Sequence, residues 1–408
     1  MRWTIALEGG PRRVNHAAVA IGNEIFSFGG YCSEENKEQI SETMDVHVLN
    51  TETYRWWLLP MANVCDKANS ESSRQVPCQR YGHTVVEYDG CAYIWGGRND
   101  DSGSHNTLYE FNPMTRLWTY IPTTGQIPPA RDGHTAVVYE DKMVIFGGYE
   151  DELQRFSQET YILDFNTRHW VELRTTGDIP SWRDFHTATL INGKMYIFGG
   201  RSDLNGQVGN DFAFHSSRDV YDDRLSVLDL KEATWVRPKV HGRGPSGRRS
   251  HAAWVYNDKL YTFGGFNGTK NKHFNDMFCF DPENLTWKRI EMSYCVPSQR
   301  RRHCSVVVGN RMFLFGGTMP LVEYCRLGDS VHLTGRRDAR LADLDDMHVL
   351  DYSPSLTQFA MEKYLEVYGD NWTKSHVYLP RNVRDEMANQ ITDNTLSTAI
   401  IGRDELHG

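Results

Sequence analysis

Residues 182–201 read WRDFHTATLINGKMYIFGGR. Arg183 stands three residues before His186, and 13 residues after that His comes the pair Gly199-Gly200, with Arg201 next. The bracket recurs along the chain. His stands at 16, 83, 134, 186, 251 and 303, and Gly-Gly pairs stand at 29–30, 96–97, 147–148, 199–200, 264–265 and 316–317. Every His lies 13 residues before its first Gly, and successive copies are 67, 51, 52, 65 and 52 residues apart. Self-similarity at this period marks units that bury their apolar faces only against one another.

Each copy has two apolar runs around a polar turn, as in HTAVVYEDKMVIFGG and HAAWVYNDKLYTFGG, so it predicts a hairpin of strands a and b. The Gly pair supplies backbone angles that a Cβ resists. A third run then ends in Asn or Asp (VHVLN, LYEFN, YILD, LSVLD, MFCFD, MHVLD), and in five copies Trp follows six residues later, at 56, 118, 170, 235 and 287. Asn or Asp opens a tight turn, and Trp gives a fourth strand a large surface for packing between units. A four-stranded unit of about 50 residues is the kelch propeller blade. The sixth copy has Thr357 where its Trp is due, but Trp3 precedes His16 at nearly the interior spacing. The N-terminal strand is therefore expected to complete the last blade, giving an all-β, six-bladed ring without exposed edges.

Connections alternate between the two ends of an up-and-down blade. The residue three before each His and the residue after each Gly pair thus fall at the same mouth. The first set is Arg13, Arg80, Arg131, Arg183, Arg248 and Arg300, flanked by Arg249, Arg301 and Arg302; the second is Tyr31, Arg98, Tyr149, Arg201, Phe266 and Thr318. A basic, aromatic-lined mouth suits an anionic ligand, since guanidinium forks match carboxylate and phosphate. The regular arginines have blade geometry as an alternative role, pairing with Asp132, Asp184 or carbonyls. Arg98, Arg201, Arg249 and Arg302 break the repeat, which geometry does not demand. The long connections at 201–224 and 318–345 overhang the same mouth.

The chain has 408 residues and a net charge of −9, which argues against general nucleic-acid binding. No run approaches the ~18 apolar residues that cross a bilayer. Eight cysteines without a CxxC pair fit a reduced, intracellular protein, in the cytoplasm or the nucleus, with no metal site. No cofactor motif occurs. P-loop, GxSxG and HExxH motifs are missing, as are the SxDxGxxW turns of sialidases, so binding without catalysis is expected.

Beyond Asp351 the repeat stops. Leu356, Phe359, Ala360, Tyr364 and Val367 fall at helical spacing, and Leu379, Val383 and Met387 do so again behind Pro380. The expected division is a propeller over 1–352, a helical box over 353–390 and a flexible tail over 391–408.

With its RWTIALEGGPRRVNHAA, FGGY, QRYGH, WGGRND, ARDGH, WRDFH, GRRSH and SPSL motifs, the chain resembles, over nearly its whole length, the kelch-repeat substrate receptors of cullin-2 RING ubiquitin ligases. That resemblance implies a propeller that binds C-terminal degrons, often ending in Gly, and a C-terminal box that binds elongin B/C and cullin-2. Ser355-Leu356 match the start of the elongin box, with Ala360 at that motif's Cys position and Tyr364 at its aliphatic one. Leu379-Pro380 and Val383 match the cullin-2 box. Carried over, Arg201 would grip the degron carboxylate, Arg249 and Ser250 would face the ligand, and Tyr31 and Tyr149 would form aromatic walls. Arg302 stands where a relative carries Trp. The resemblance also leaves a non-ligase scaffold for an acidic peptide or a chromatin-associated partner as the competing reading. The chain's own end, His407-Gly408, resembles the ligand class and suggests self-binding.

Overall fold

The computed structural model describes residues 1–35, 43–60, 76–204, 219–321, 341–368 and 379–398, and the backbone of 324–327 and 330–333. Six antiparallel blades of four main strands follow the repeat. Blade one comprises Ala17–Ile21, Glu24–Phe28, Val46–Asn50 and Arg55–Leu58. Blade six is assembled from both ends of the chain. Cys304–Val308, Arg311–Phe315 and Met347–Asp351 receive Arg2–Leu7, with Trp3 opposite Leu350.

Closure of the ring is visible in three independent ways. The innermost strands touch in cyclic order, and Ala17–Ile21 of blade one meets both Thr84–Tyr88 of blade two and Cys304–Val308 of blade six. Six buried clusters occupy the six seams; the one between blades six and one gathers Ile5, Leu7, Phe313 and Phe315 with Ile25, Leu49 and Trp56. The second Gly of each pair donates its N–H to the carbonyl of the next blade's regular Arg at 2.8–2.9 Å, ending with Gly317 to Arg13.

Local chemistry explains the repeat's fixed letters. Asn50, Asn112, Asp164, Asp229 and Asp281 each accept backbone N–H bonds from residues two or three further on, the Asx turn expected between strands c and d. Trp56, Trp170, Trp235 and Trp287 are buried against the preceding blade, and Trp3 fills the same place between blades six and five. A Cβ on Gly199 would stand 2.4 Å from the Arg248 carbonyl oxygen, so this close approach between blades requires glycine.

Helix α1 (Leu356–Tyr368) and helix α2 (Arg381–Ile391) lie beside the seam of blades six and one. The Ser355 hydroxyl caps α1 by accepting the Gln358 N–H at 3.0 Å. Gln358 and Gln390 exchange hydrogen bonds at 3.1 and 2.9 Å between the helices, and Arg2 pairs with Glu362 at 2.6 Å. The expected boundary at 390 shifts. Helix α2 runs through Ile391, buried Asn394 accepts the Trp56 N–H at 3.1 Å, and Ser397–Thr398 pair in parallel with Trp57 and Leu58. Residues 391–398 are thus bound to blade one rather than forming a free tail. The remainder of the tail, with His407-Gly408, and parts of the 201–224 and 318–345 connections lie outside the described residues.

Candidate functional site

Four residue positions per blade build the mouth. The outermost is the regular Arg. Arg80, Arg131, Arg183, Arg248 and Arg300 are at most 2% exposed. Each donates Nη1 to the carbonyl of its own blade's first Gly at 2.8–3.3 Å. Arg131, Arg183, Arg248, Arg300 and Arg13 also pair with Glu150, Asp222, Asp276, Asp346 and Asp45. These arginines are blade locks. Of the two roles the sequence leaves them, mouth lining or blade geometry, the second holds, with carbonyls as partners and with acids other than Asp132 and Asp184. A buried cation keeps its charge only when matched, and the matching acids come from the connections between strands b and c and from the start of strand c.

The residue before each His forms a closed hydrogen-bonded ring. The N–H of Gly82 donates to Asn15, Gly133 to Gly82, Phe185 to Gly133, Ser250 to Phe185, Arg302 to Ser250 and Asn15 to Arg302, at 2.7–3.1 Å. All six are left-handed, with φ between 49° and 65°. Together with the six histidines they surround an axial cavity of about 120 Å³. The histidines are buried and neutral; burial pushes His16, His83 and His251 down to about 3. No cluster of metal-ligating side chains occurs among the described residues.

The residue two before each His sets the charge of the mouth. Around the ring this position reads Val14, Tyr81, Asp132, Asp184, Arg249 and Arg301. Each pairs across a short bridge with the residue after the Gly pair: Tyr31, Arg98, Tyr149, Arg201, Phe266 and Thr318 respectively. The mouth is bipolar, with two acids on neighbouring blades followed by two arginines, rather than uniformly basic. Asp132 is 5% exposed and its Oδ1 has no hydrogen-bond partner. Burial first, then Asp184, pushes its carboxyl up to about 7 against the pull of Arg98 and Arg201.

The expected ligand residues all reach this mouth, in two groups. Arg249, Ser250, Arg302 and Tyr31 meet on blades five, six and one, where Arg302 Nη1 donates to the Tyr31 hydroxyl at 2.6 Å. Arg98, Tyr149 and Arg201 occupy blades two to four. Arg98 reaches Asp151 at 3.4 Å, and Tyr149 packs edge-on to Phe156 at 5.5 Å. Arg201, the expected carboxylate grip, is already engaged. Its Nη2 and Nε donate to Asp184 at 2.5 and 3.2 Å. Asp132, Asp184 and Arg301 had no assigned ligand role in the sequence reading. Their signal was present in the column two residues before each His, which changes from aromatic to acidic to basic around the ring.

On the helices, Leu356 is 87% exposed, Phe359, Val367 and Tyr368 are also exposed, and Met361 is buried toward the propeller. Ala360 and Pro380 are exposed, while Leu379 and Val383 are partly covered. The residues at helical spacing in α1 therefore face outward in large part, and the helix's buried residues are Gln358 and Met361.

A closed ring of antiparallel four-stranded blades, locked by Arg, His and Gly-Gly at fixed spacing, is a kelch propeller, a fold used generally for non-catalytic protein binding. The KLHDC2/KLHL20/DRC7 Kelch-repeats domain model matches residues 82–317 and the Kelch motif model residues 12–60, and the chain belongs to the kelch-repeat family. It is 42% identical to Kelch domain-containing protein 3 of Bos taurus over 401 residues, covering 98% of this chain and 99% of that one. Kelch domain-containing protein 3 of Homo sapiens matches at 42% over the same shares. Host cell factor 1 of Rattus norvegicus is 30% identical over 264 residues, 61% of this chain and 12% of that one.

Proposed function

We propose that this chain is the substrate-recognition subunit of a cullin-2 RING E3 ubiquitin ligase. It acts in the cytoplasm or the nucleus, holding substrates by their C-terminal ends in the mouth and elongin B/C and cullin-2 by its helices. The observation that carries the substrate half is the bipolar ring. Arg249 and Arg301, joined by Arg302, offer charge to a chain-terminal carboxylate. Asp132 on the neighbouring side, whose Oδ1 is unpartnered while Asp184 is paired with Arg201, offers the opposite charge to a cationic group further back along the same peptide. An internal segment brings an amide in place of the carboxylate and leaves buried guanidinium groups unmatched, which favours chain ends. A terminal Gly suits close approach to the floor formed by the backbone ring. The exposed Leu356 and Phe359 on α1 and Pro380 at the start of α2 support the ligase half.

Co-purification of elongin B/C and cullin-2 with the full chain tests this reading. Capture that is lost in Leu356→Asp and Pro380→Ala, with the propeller still folded, is the expected result. Binding of substrate peptides without any capture of elongin B/C identifies a non-ligase scaffold instead.

A further inference from the structure

Among the arginines around the mouth, Arg301 stands apart. The regular arginines have carbonyl and, in most blades, carboxylate partners. Arg201 is paired at two nitrogens with Asp184, and Arg302 is bonded to Tyr31. Arg301 is 7% exposed, yet its Nε and Nη1 are buried without a hydrogen-bond partner. It makes no ion pair among the described residues. The Phe266 ring lies 4.3 Å from its guanidinium carbon. Its backbone is pinned by a two-way bridge to Thr318, at 3.0 and 2.9 Å, so the side chain has a fixed root. Burial, then Arg302 and Arg249, push the Arg301 guanidinium down to about 9.

Such a group costs the folded protein stability. A buried cation without a counter-charge, beside two further cations, is favoured only when something else supplies the charge. Functional sites are where folds retain such costs. We infer that Arg301, rather than Arg201, receives the carboxylate of the bound ligand, with Arg302 and the Tyr31 hydroxyl beside it. This inference rests on the peptide-end reading above. Arg201 then acts as a positioning residue: its Nε and Nη2 neutralise and orient Asp184, so a ligand carboxylate gains less from a guanidinium whose charge is already matched. An incoming carboxylate at Arg301 meets one of these unpartnered donors, at Nε or at Nη1, and offsets the repulsion among three arginines.

The test compares the full chain with Arg301→Met, which keeps the stem's apolar contact with Phe266 and removes the charge. The probes are a short peptide ending in Gly with a free carboxylate, the same peptide amidated, and amidated versions ending in Asp or Asn. Wild type is expected to bind the free-acid form about 10- to 100-fold more tightly than the amide. Arg301→Met is expected to bind both forms equally weakly, with a melting temperature no lower than wild type. Retention of the free-acid preference by Arg301→Met overturns the inference. So does a loss of binding accompanied by a lower melting temperature, which assigns Arg301 a structural role. Wild type that treats free acid and amide alike refutes the chain-end reading. In that event a wild-type preference for Asp over Asn, absent in Arg301→Met, keeps Arg301 as a seat for a side-chain carboxylate. No preference in either pair removes the seat as well.

Discussion

Replacing Asp132 by Asn asks what the acidic half of the mouth costs the fold. The carboxylate sits at 5% exposure with an unpartnered Oδ1, and burial with Asp184 pushes it up to about 7 from the ordinary 3.8. The folded state therefore holds a proton that the unfolded chain has released between about pH 4 and pH 7. Folding takes up that proton, so stability falls as pH rises through this window and the full cost is present above it. At ~1.4 kcal/mol for each tenfold step, the gap amounts to roughly 4 kcal/mol at pH 8 and about 1 kcal/mol at pH 4.5. Asn keeps the shape of the neutral acid and has no such dependence. Chemical denaturation at both pH values should show Asp132→Asn markedly more stable than wild type at pH 8 and nearly equal at pH 4.5. The difference between the two proteins reports this carboxyl together with its coupling to Asp184, Arg98 and Arg201. An Asn variant of equal or lower stability at pH 8 refutes the reasoning.

Arg201→Met should destabilise the fold by about 3–5 kcal/mol by stranding buried Asp184, and Asp184→Asn in that background should recover much of the loss in a double-mutant cycle. Trp3→Ala should cost about 3–5 kcal/mol and lower the melting temperature, since Trp3 is buried between blades five and six at the point where the two chain ends meet. Asn394→Ala should cost only about 1–2 kcal/mol by leaving the buried backbone N–H of Trp56 unmatched, with faster amide exchange confined to Arg55–Leu58 and the C-terminal segment.

The ring was legible because its parts obey fixed spacings. His, Gly-Gly, the Asx-turn residue and Trp recur once per blade, and the early position of Trp3 disclosed which strand closes blade six. The shared end of Arg183 and Arg201 followed from strand alternation alone. Their different roles did not. Pairing decides those roles: Asp45, Asp276 and Asp346 stand at one fixed place, five residues before the turn residue that ends strand c, but Glu150 and Asp222 come from other points of b–c connections of unequal length. Arg201 looked exceptional by breaking the repeat, yet its bridge partner Asp184 already matches its charge. Arg301 looked like an accessory charge and is without an ion pair among the described residues. Helical spacing in α1 was plain, but not which side turns inward, because Gln358 and Gln390 bury polar ends by bonding one another.

The account's central claim is that the mouth reads a free carboxylate at a chain end. Calorimetric titration of the full chain with a Gly-ended peptide, as free acid and as amide, tests it most directly. The prediction is at least ~10-fold weaker binding of the amide, the loss expected when a charge-assisted bond to a buried guanidinium is not made. Equal affinity for the two forms would contradict it.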